Sequence, residues 1–460
     1  MNARQIAADV NLGRASAREC AEAALGRIAR ASAMNAIVTM DVERTMAAAD
    51  AVDQRIRSGQ ALPLAGVPVV VKDNIWVEGW RVTQGSRLFG DFVAPRSAIA
   101  VERLQSAGAV IVGIGATSEF ACKGVTTSPL FGPTRHPLDP ALTPGGSSGG
   151  PAVAVAAGLA PLALGTDAGG SSRRPPAHVG VVGFKPSYGA IPYGPGFAEP
   201  CHGVSVMAPI GGCVDDVRLA FAALAGPDAR DPESIVLSQP RKAPRDSRIA
   251  WSPRLGLDVA VDDEVAQGLD AAVERLRRAG FDIEDRDPVW PAAATEDAIM
   301  PLQHAGLAAL YGEAFRREPG LFDSDIGKQI ESGLARSGVD VARALDASRQ
   351  IAFAFGVFFR DVDILLAPTV PCAAWPLDLP GPPMIGGRPA TPRAHAVFTP
   401  FVNHARIPAI SVPCGRTAQG LPFGMQIIAA RGQDLSLLEF AAAVEAGVRV
   451  EPEFGRRRES

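Results

Sequence analysis

Apolar residues recur at helical spacing through the Ala-rich stretches 3–31 and 41–58, and that period predicts helices. LAGVPVVVKDNI (64–75) breaks the rhythm with a continuous apolar run, which predicts a buried strand with Lys72 near its end. Residues 97–107 return to a helical pattern, and AVIVGIG (109–115) predicts a second buried strand. From 123 to 212 the chain is dense in Gly, Pro, Ser and Thr. Apolar runs inside it, VAVAAGLAPLALG (153–165) and VGVVGFKPS (179–187), predict strands and make it an active-site loop system rather than a disordered segment. Residues 262–280 predict a charged helix with a Gly stop, followed by the strand FDIEDRD. The stretch 296–361 is mostly helical in pattern. ILLAPTVPC (364–372), PAISVPC (408–414) and GMQIIAA (424–430) predict short strands, and a helix is expected near 435–447.

Strands and helices interleave throughout, which is the signature of an α/β layered fold. No repeat period is visible. The Pro-rich 226–246 stretch is expected to be a surface excursion rather than a linker, because the apolar strands around it belong to one sheet. With 460 residues, 47% of them hydrophobic, the chain can bury a large core. A net charge of −4 gives no basic footprint, so no nucleic-acid partner is expected. The terminal Arg456-Arg457-Arg458 is expected to be a solvated tail. The six cysteines are scattered without CxxC spacing, which argues against a zinc site and fits reduced thiols in a cytoplasmic protein. The N-terminus has no signal-peptide core, and no run is long and apolar enough to predict a membrane span. No metal or cofactor is expected.

The candidate chemistry lies in two serine-containing, glycine-rich segments and one lysine. Gly145 to Gly149 match G-x-S-x-G, but HPLDPALTP before them holds three prolines in nine residues and is no strand, so the nucleophile elbow is rejected. An esterase version would draw on His395 or His404. Gly113-Ile114-Gly115 follows a strand, yet Ser118 stands where a dinucleotide fingerprint needs its third glycine. Lys72 has two readings. It either snorkels to the surface or stays buried and neutral as a base, with its pKa some 3 units below about 10.4, a cost near 4 kcal/mol. Asp73 reads as a structural hydrogen-bonding residue. Eight glycines in 145–170 let the backbone approach a ligand closely and aim its N–H groups. Successive N–H groups of Ala168, Gly169, Gly170 and Ser171 can then form an oxyanion hole for a carbonyl attacked by Ser171.

Together these pieces resemble the amidase signature family. GGSSGG stands at 145–150, GTDAGGSSRRPPA at 165–177 and VKDNI at 71–75. TSEFACKG (117–124), FGPTRHP (131–137), GFKPSYG (183–189), PAISVPCG (408–415) and PFGMQIIA (422–429) extend the likeness over roughly 60 to 430. The resemblance implies a single amidase domain over 1–460: a helical region (1–60), a signature core (64–215), a helical, variable region (216–395) and a return to the core sheet (396–450). It implies a central mixed β-sheet covered by helices on both faces. It also implies a Ser-cisSer-Lys set, with Ser171 the nucleophile, Ser147 the relay after a cis Gly146–Ser147 bond and neutral Lys72 the base. Arg173 takes the family's usual, structural arginine position. Arg174 is expected either to hold a substrate carboxylate or to be structural, and Gly124 and Val125 are expected beside the substrate. The implied activity is amide hydrolysis of a small carboxamide, carbamoyl or urea-type substrate. A homodimer is expected on general grounds, with the oligomeric state open. The alternative is the glutamine-hydrolysing subunit of a tRNA-dependent amidotransferase. Ala396 stands in AHAVFTP (394–400) where that subunit carries an Asp, which argues against glutamine. A catalytically dead scaffold is disfavoured, because Lys72, Ser147 and Ser171 are all present.

Overall fold

The computed structural model describes residues 2–240 and 242–448. The arginines at 456–458 lie outside them. One mixed sheet organises the chain. Its eleven strands are β1 (Ile37–Thr39), β2 (Pro68–Lys72), β3 (Val110–Gly115), β4 (Leu162–Asp167), β5 (Val182–Lys185), β6 (Val206–Gly211), β7 (Ile249–Trp251), β8 (Ile283–Asp285), β9 (Ile364–Pro368), β10 (Ala409–Arg416) and β11 (Pro422–Ala429). They lie side by side as β1-β3-β2-β4-β6-β5-β10-β11-β9-β7-β8. β2 runs parallel to both β3 and β4. β6 is antiparallel to β4, and β10 is antiparallel to β5 and β11.

Every residue of β2, β3 and β4 is buried. A strand covered on both faces needs no polar alternation, which is why these segments read as unbroken apolar runs. The 226–246 stretch joins β6 to β7, two strands of the same sheet, so it is an excursion and not a linker. Arg103 clamps its start, donating to the carbonyls of Leu224 at 2.7 Å and Gly226 at 2.8 Å.

The run 153–165 is not one strand. Its first half belongs to the helix Gly149–Ala156, and only Leu162–Asp167 is extended. That helix is buried on all sides, so it has no polar face and no 3.6-residue signature. Gly158, at φ 68°, takes the left-handed conformation that follows the helix end. β6 escapes detection for a different reason. Pro209 lies opposite Leu164 inside the sheet, and the pairing with β5 stops at Ile210. A proline inside a sheet is rare, because it cannot donate to the ladder. Among the described residues no helix is long and apolar enough to cross a membrane.

Candidate active site

Lys72 ends β2 and is completely buried, which excludes the snorkelling alternative. Its Nζ lies 2.9 Å from Ser147 Oγ and 3.0 Å from Thr166 Oγ1. Thr166 is on β4, directly beside β2, so the parallel pairing sets lysine and threonine together. Asn74 Nδ2 donates to the same Thr166 oxygen at 3.0 Å. Burial pushes the Lys72 amine down to about 7, helped by the Arg174 cation and opposed by Asp167 and Cys122. A neutral amine next to a hydroxyl is a proton acceptor, whereas an ammonium is not. Asp73 has the structural role expected of it: its carboxylate accepts from the N–H of Thr83 at 2.7 Å and of Gly85 at 3.0 Å.

The loop carrying Ser147 is tightly held. The Gly146–Ser147 peptide bond is cis. Gly146 packs so closely on Val125 that a Cβ there would sit 2.6 Å from the Val125 carbonyl carbon, so no larger residue fits. Thr126 Oγ1 donates to Gly145 O at 2.8 Å and accepts from Gly149 N at 2.9 Å. Ser148 N donates to Ser171 O at 3.3 Å and ties the two serine segments together.

The segment from Asp167 to Arg174 wraps around one carboxylate. Asp167 Oδ1 accepts from Gly170 N at 2.7 Å, and Oδ2 from Ser172 Oγ at 2.9 Å. Arg173 adds a two-pronged pair, Nε to Oδ2 at 3.0 Å and Nη2 to Oδ1 at 2.9 Å, with both side chains fully buried. Burial alone would raise the Asp167 carboxyl. The Arg173 guanidinium and these hydrogen bonds outweigh it and hold the group well below the usual carboxylate range. Asp167→Ala would strand a buried guanidinium, and it is expected to cost about 3–5 kcal/mol, read as a lower urea midpoint. A midpoint within error of the wild type would remove the idea that this pair holds the turn.

The four backbone donors expected to form an oxyanion hole divide. Gly170 N–H is occupied by Asp167. The N–H groups of Ala168, Gly169 and Ser171 have no hydrogen-bond acceptor among the described residues. Asn74, Ser147, Thr166, Ala168 and Ser171 line one small cleft. Phe120, Tyr193 and Phe197 form apolar walls, and Glu199 is the one formally charged residue in the lining. Sequence reasoning missed Thr166, Asn74 and Glu199. The first two lie inside GTDAGGSSRRPPA and VKDNI, but nothing in its spacing marks Glu199.

Arg174, Gly124 and Val125 are not in the lining of this cleft. Val125 supports Gly146 through its backbone. Gly124 packs against the His395 ring, and Arg174 Nη1 lies 3.3 Å from His395 Nδ1. The Arg174 guanidinium is buried, and burial first, then Arg393 beside it, lowers it to about 9. Its Nε has no partner among the described residues. The two histidines an esterase would need are committed elsewhere, His395 to Arg174 and His404 to Ser348 at 2.8 Å. Among the described residues no cluster of His, Cys, Asp or Glu could hold a metal ion.

The chain resembles known proteins along most of its length. The amidase family profile matches residues 19–438. A glutamyl-tRNA(Gln) amidotransferase subunit from Deinococcus radiodurans is 36% identical, over 96% of this chain and 96% of the relative. A bacterial aryl acylamidase of the amidase signature family superposes with a TM-score of 0.91 at 27% identity, covering 100% of this chain and 99% of that one. A structure described as a vestigial protein complex that reveals the origins of an s-triazine catabolic enzyme superposes at 0.89 with 30% identity, covering 98% of this chain and 100% of that one. A strand ending in lysine, two glycine-flanked serines and similarity along most of the chain coincide in one molecule, and the chain belongs to the amidase family.

Proposed function

We propose that this chain hydrolyses a carboxamide through a seryl acyl-enzyme at Ser171. The observation that carries this reading is the 2.9 Å contact between Ser147 Oγ and a fully buried Lys72 amine lowered to about 7. Neutral Lys72 takes the Ser147 proton as Ser147 takes that of Ser171, and the freed Ser171 oxygen attacks the carbonyl carbon. The developing oxyanion is met by the N–H groups of Ala168, Gly169 and Ser171. The proton held on Lys72 returns through Ser147 to the leaving nitrogen, the C–N bond breaks, and ammonia departs. Water then cleaves the acyl ester by the same route in reverse.

Two substrate readings remain, and the one with more support is an amidotransferase component that takes its nitrogen from glutamine. The Deinococcus relative carries an amidotransferase name. Glu199 faces the cleft beside Tyr193 and can pair with an α-ammonium, a task that Ala396 cannot perform. The second reading, a stand-alone hydrolase of small carboxamides, carbamoyl compounds or ureas, is favoured by Ala396 itself. Steady-state kinetics on glutamine and on neutral amides separate the two. Glu199→Gln is expected to raise KM for glutamine about tenfold, the order of one lost charged contact, and to leave KM for neutral amides unchanged. Equal shifts on both substrate types would count against recognition by this charge. Turnover of neutral amides alone, with none of glutamine even beside a companion chain, would select the second reading.

A further inference from the structure

Two thiols in the cleft take no part in the proposed reaction. Cys122 follows Phe120 and Ala121, whose φ angles of 50° and 59° fold the chain back at the cleft wall. Cys201 lies on the irregular segment between β5 and β6. Each is 6% exposed, and both belong to the lining that also holds Ser147 and Ser171. Gln303, on the helix Glu296–Arg317, bridges them. Its Nε2 donates to Cys122 O at 3.5 Å, and its Oε1 accepts from Cys201 Sγ at 3.8 Å. Cys122 Sγ itself donates to Phe120 O at 3.3 Å, and Cys122, with burial, pushes the Cys201 thiol up. Free buried cysteines are usually small hydrophobic fillers. These two are set apart by lining one cavity from distant parts of the chain and by sharing Gln303.

We propose that Cys122 and Cys201 are an oxidisable dithiol, and that hydrogen peroxide converts them to a disulfide that closes the cleft. Cys122 sulfur attacks the peroxide, the O–O bond breaks, and a sulfenic acid and one water form. Cys201 sulfur then displaces the hydroxyl, giving the S–S bond and a second water. Each sulfur loses one hydrogen, and the peroxide is reduced to two waters. The bond draws the Cys201 loop toward the wall at Phe120. Glu199 moves with it, because Glu199 accepts from Cys201 N and Gly203 N, each at 2.7 Å. The device acts on the opening that substrate must use.

The disulfide itself is independent of the amide-hydrolase reading, whereas its effect on turnover rests on that reading. Full-length protein is treated with hydrogen peroxide and digested without reductant. The expected result is one cross-linked peptide pair containing Cys122 and Cys201, lighter by two hydrogen atoms. Hydrolysis is expected to fall about tenfold or more and to return with dithiothreitol, as for a reversible step on the oxidation ladder. Cys122→Ser and Cys201→Ser, each compared with its own untreated rate, are expected to keep most of their activity under peroxide. Absence of that peptide pair, a disulfide that leaves the rate unchanged, or equal inactivation of the serine variants each overturns the proposal. If a variant does not fold, the peptide map of the wild type still decides. If no amide is turned over, the map alone tests the bond.

Discussion

Ser171→Ala is expected to lower hydrolysis by about 10⁴-fold or more, because removing a nucleophile leaves only binding and oxyanion stabilisation. The loss has a chemical signature. Wild-type protein should be acylated once by a fluorophosphonate, and the variant should not react. Stability is expected to hold within about 0.5 kcal/mol, since the hydroxyl opens onto the cleft and its removal orphans no buried donor. Ser147→Ala has a different expected profile. It takes away the oxygen that Lys72 touches at 2.9 Å, so turnover falls, yet Ser171 remains in place to accept the label slowly. Persistent labelling of Ser171→Ala at another serine would sink the assignment.

Much of this arrangement is legible in the chain, and the illegible parts have identifiable causes. β2, β3 and β9 are apolar runs bounded by Pro, Gly or Lys, and a strand buried on both faces looks like that. β1 and β7 span three residues each and carry too few positions to show a period. The helix Gly149–Ala156 imitates a strand in sequence because its environment is apolar all round. The site divides in the same way. Lys72, Ser147 and Ser171 stand in motifs, but the strand order that places β2 next to β4 is not legible in them. Arg173 and Arg174 are adjacent and chemically identical. One is locked onto Asp167 by two hydrogen bonds, and the side-chain hydrogen-bond partner of the other among the described residues is His395, a difference decided by side-chain direction. Glu199 sits in a Gly- and Pro-rich loop, where no periodicity tells which side chains face inward.

Lys72→Met is expected to abolish turnover and, at acidic to neutral pH, to stabilise the protein. The two outcomes have one cause. The Lys72 amine has a pKa of about 7 in the folded chain against an ordinary 10.5. Below the lower value both folded and unfolded chains carry the proton, and the folded state bears the whole cost of a buried ammonium, on the order of 5 kcal/mol. Between the two values the unfolded chain holds more protons than the folded one, so stability rises with pH across that window. Methionine has no proton to lose and does not contribute that slope. It also forfeits the hydrogen bonds to Ser147 and Thr166, at roughly 1–2 kcal/mol, which is smaller than the burial penalty. Lys185 is likewise lowered to about 7 by burial, so the informative quantity is wild type minus variant, in which its contribution cancels. That difference should favour the variant at pH 6 and shrink steadily toward pH 10. Activity should run the other way. Wild-type kcat/KM rises as pH passes through about 7 and the amine becomes neutral. The variant loses about 10²–10⁴-fold, the usual worth of a general base, and its residual rate loses that limb. Lys72→Arg should be as inactive, because a guanidinium stays protonated throughout. A variant that retains the rising limb near pH 7, or that is no more stable than wild type at pH 6, would show that Lys72 does not carry the functional proton.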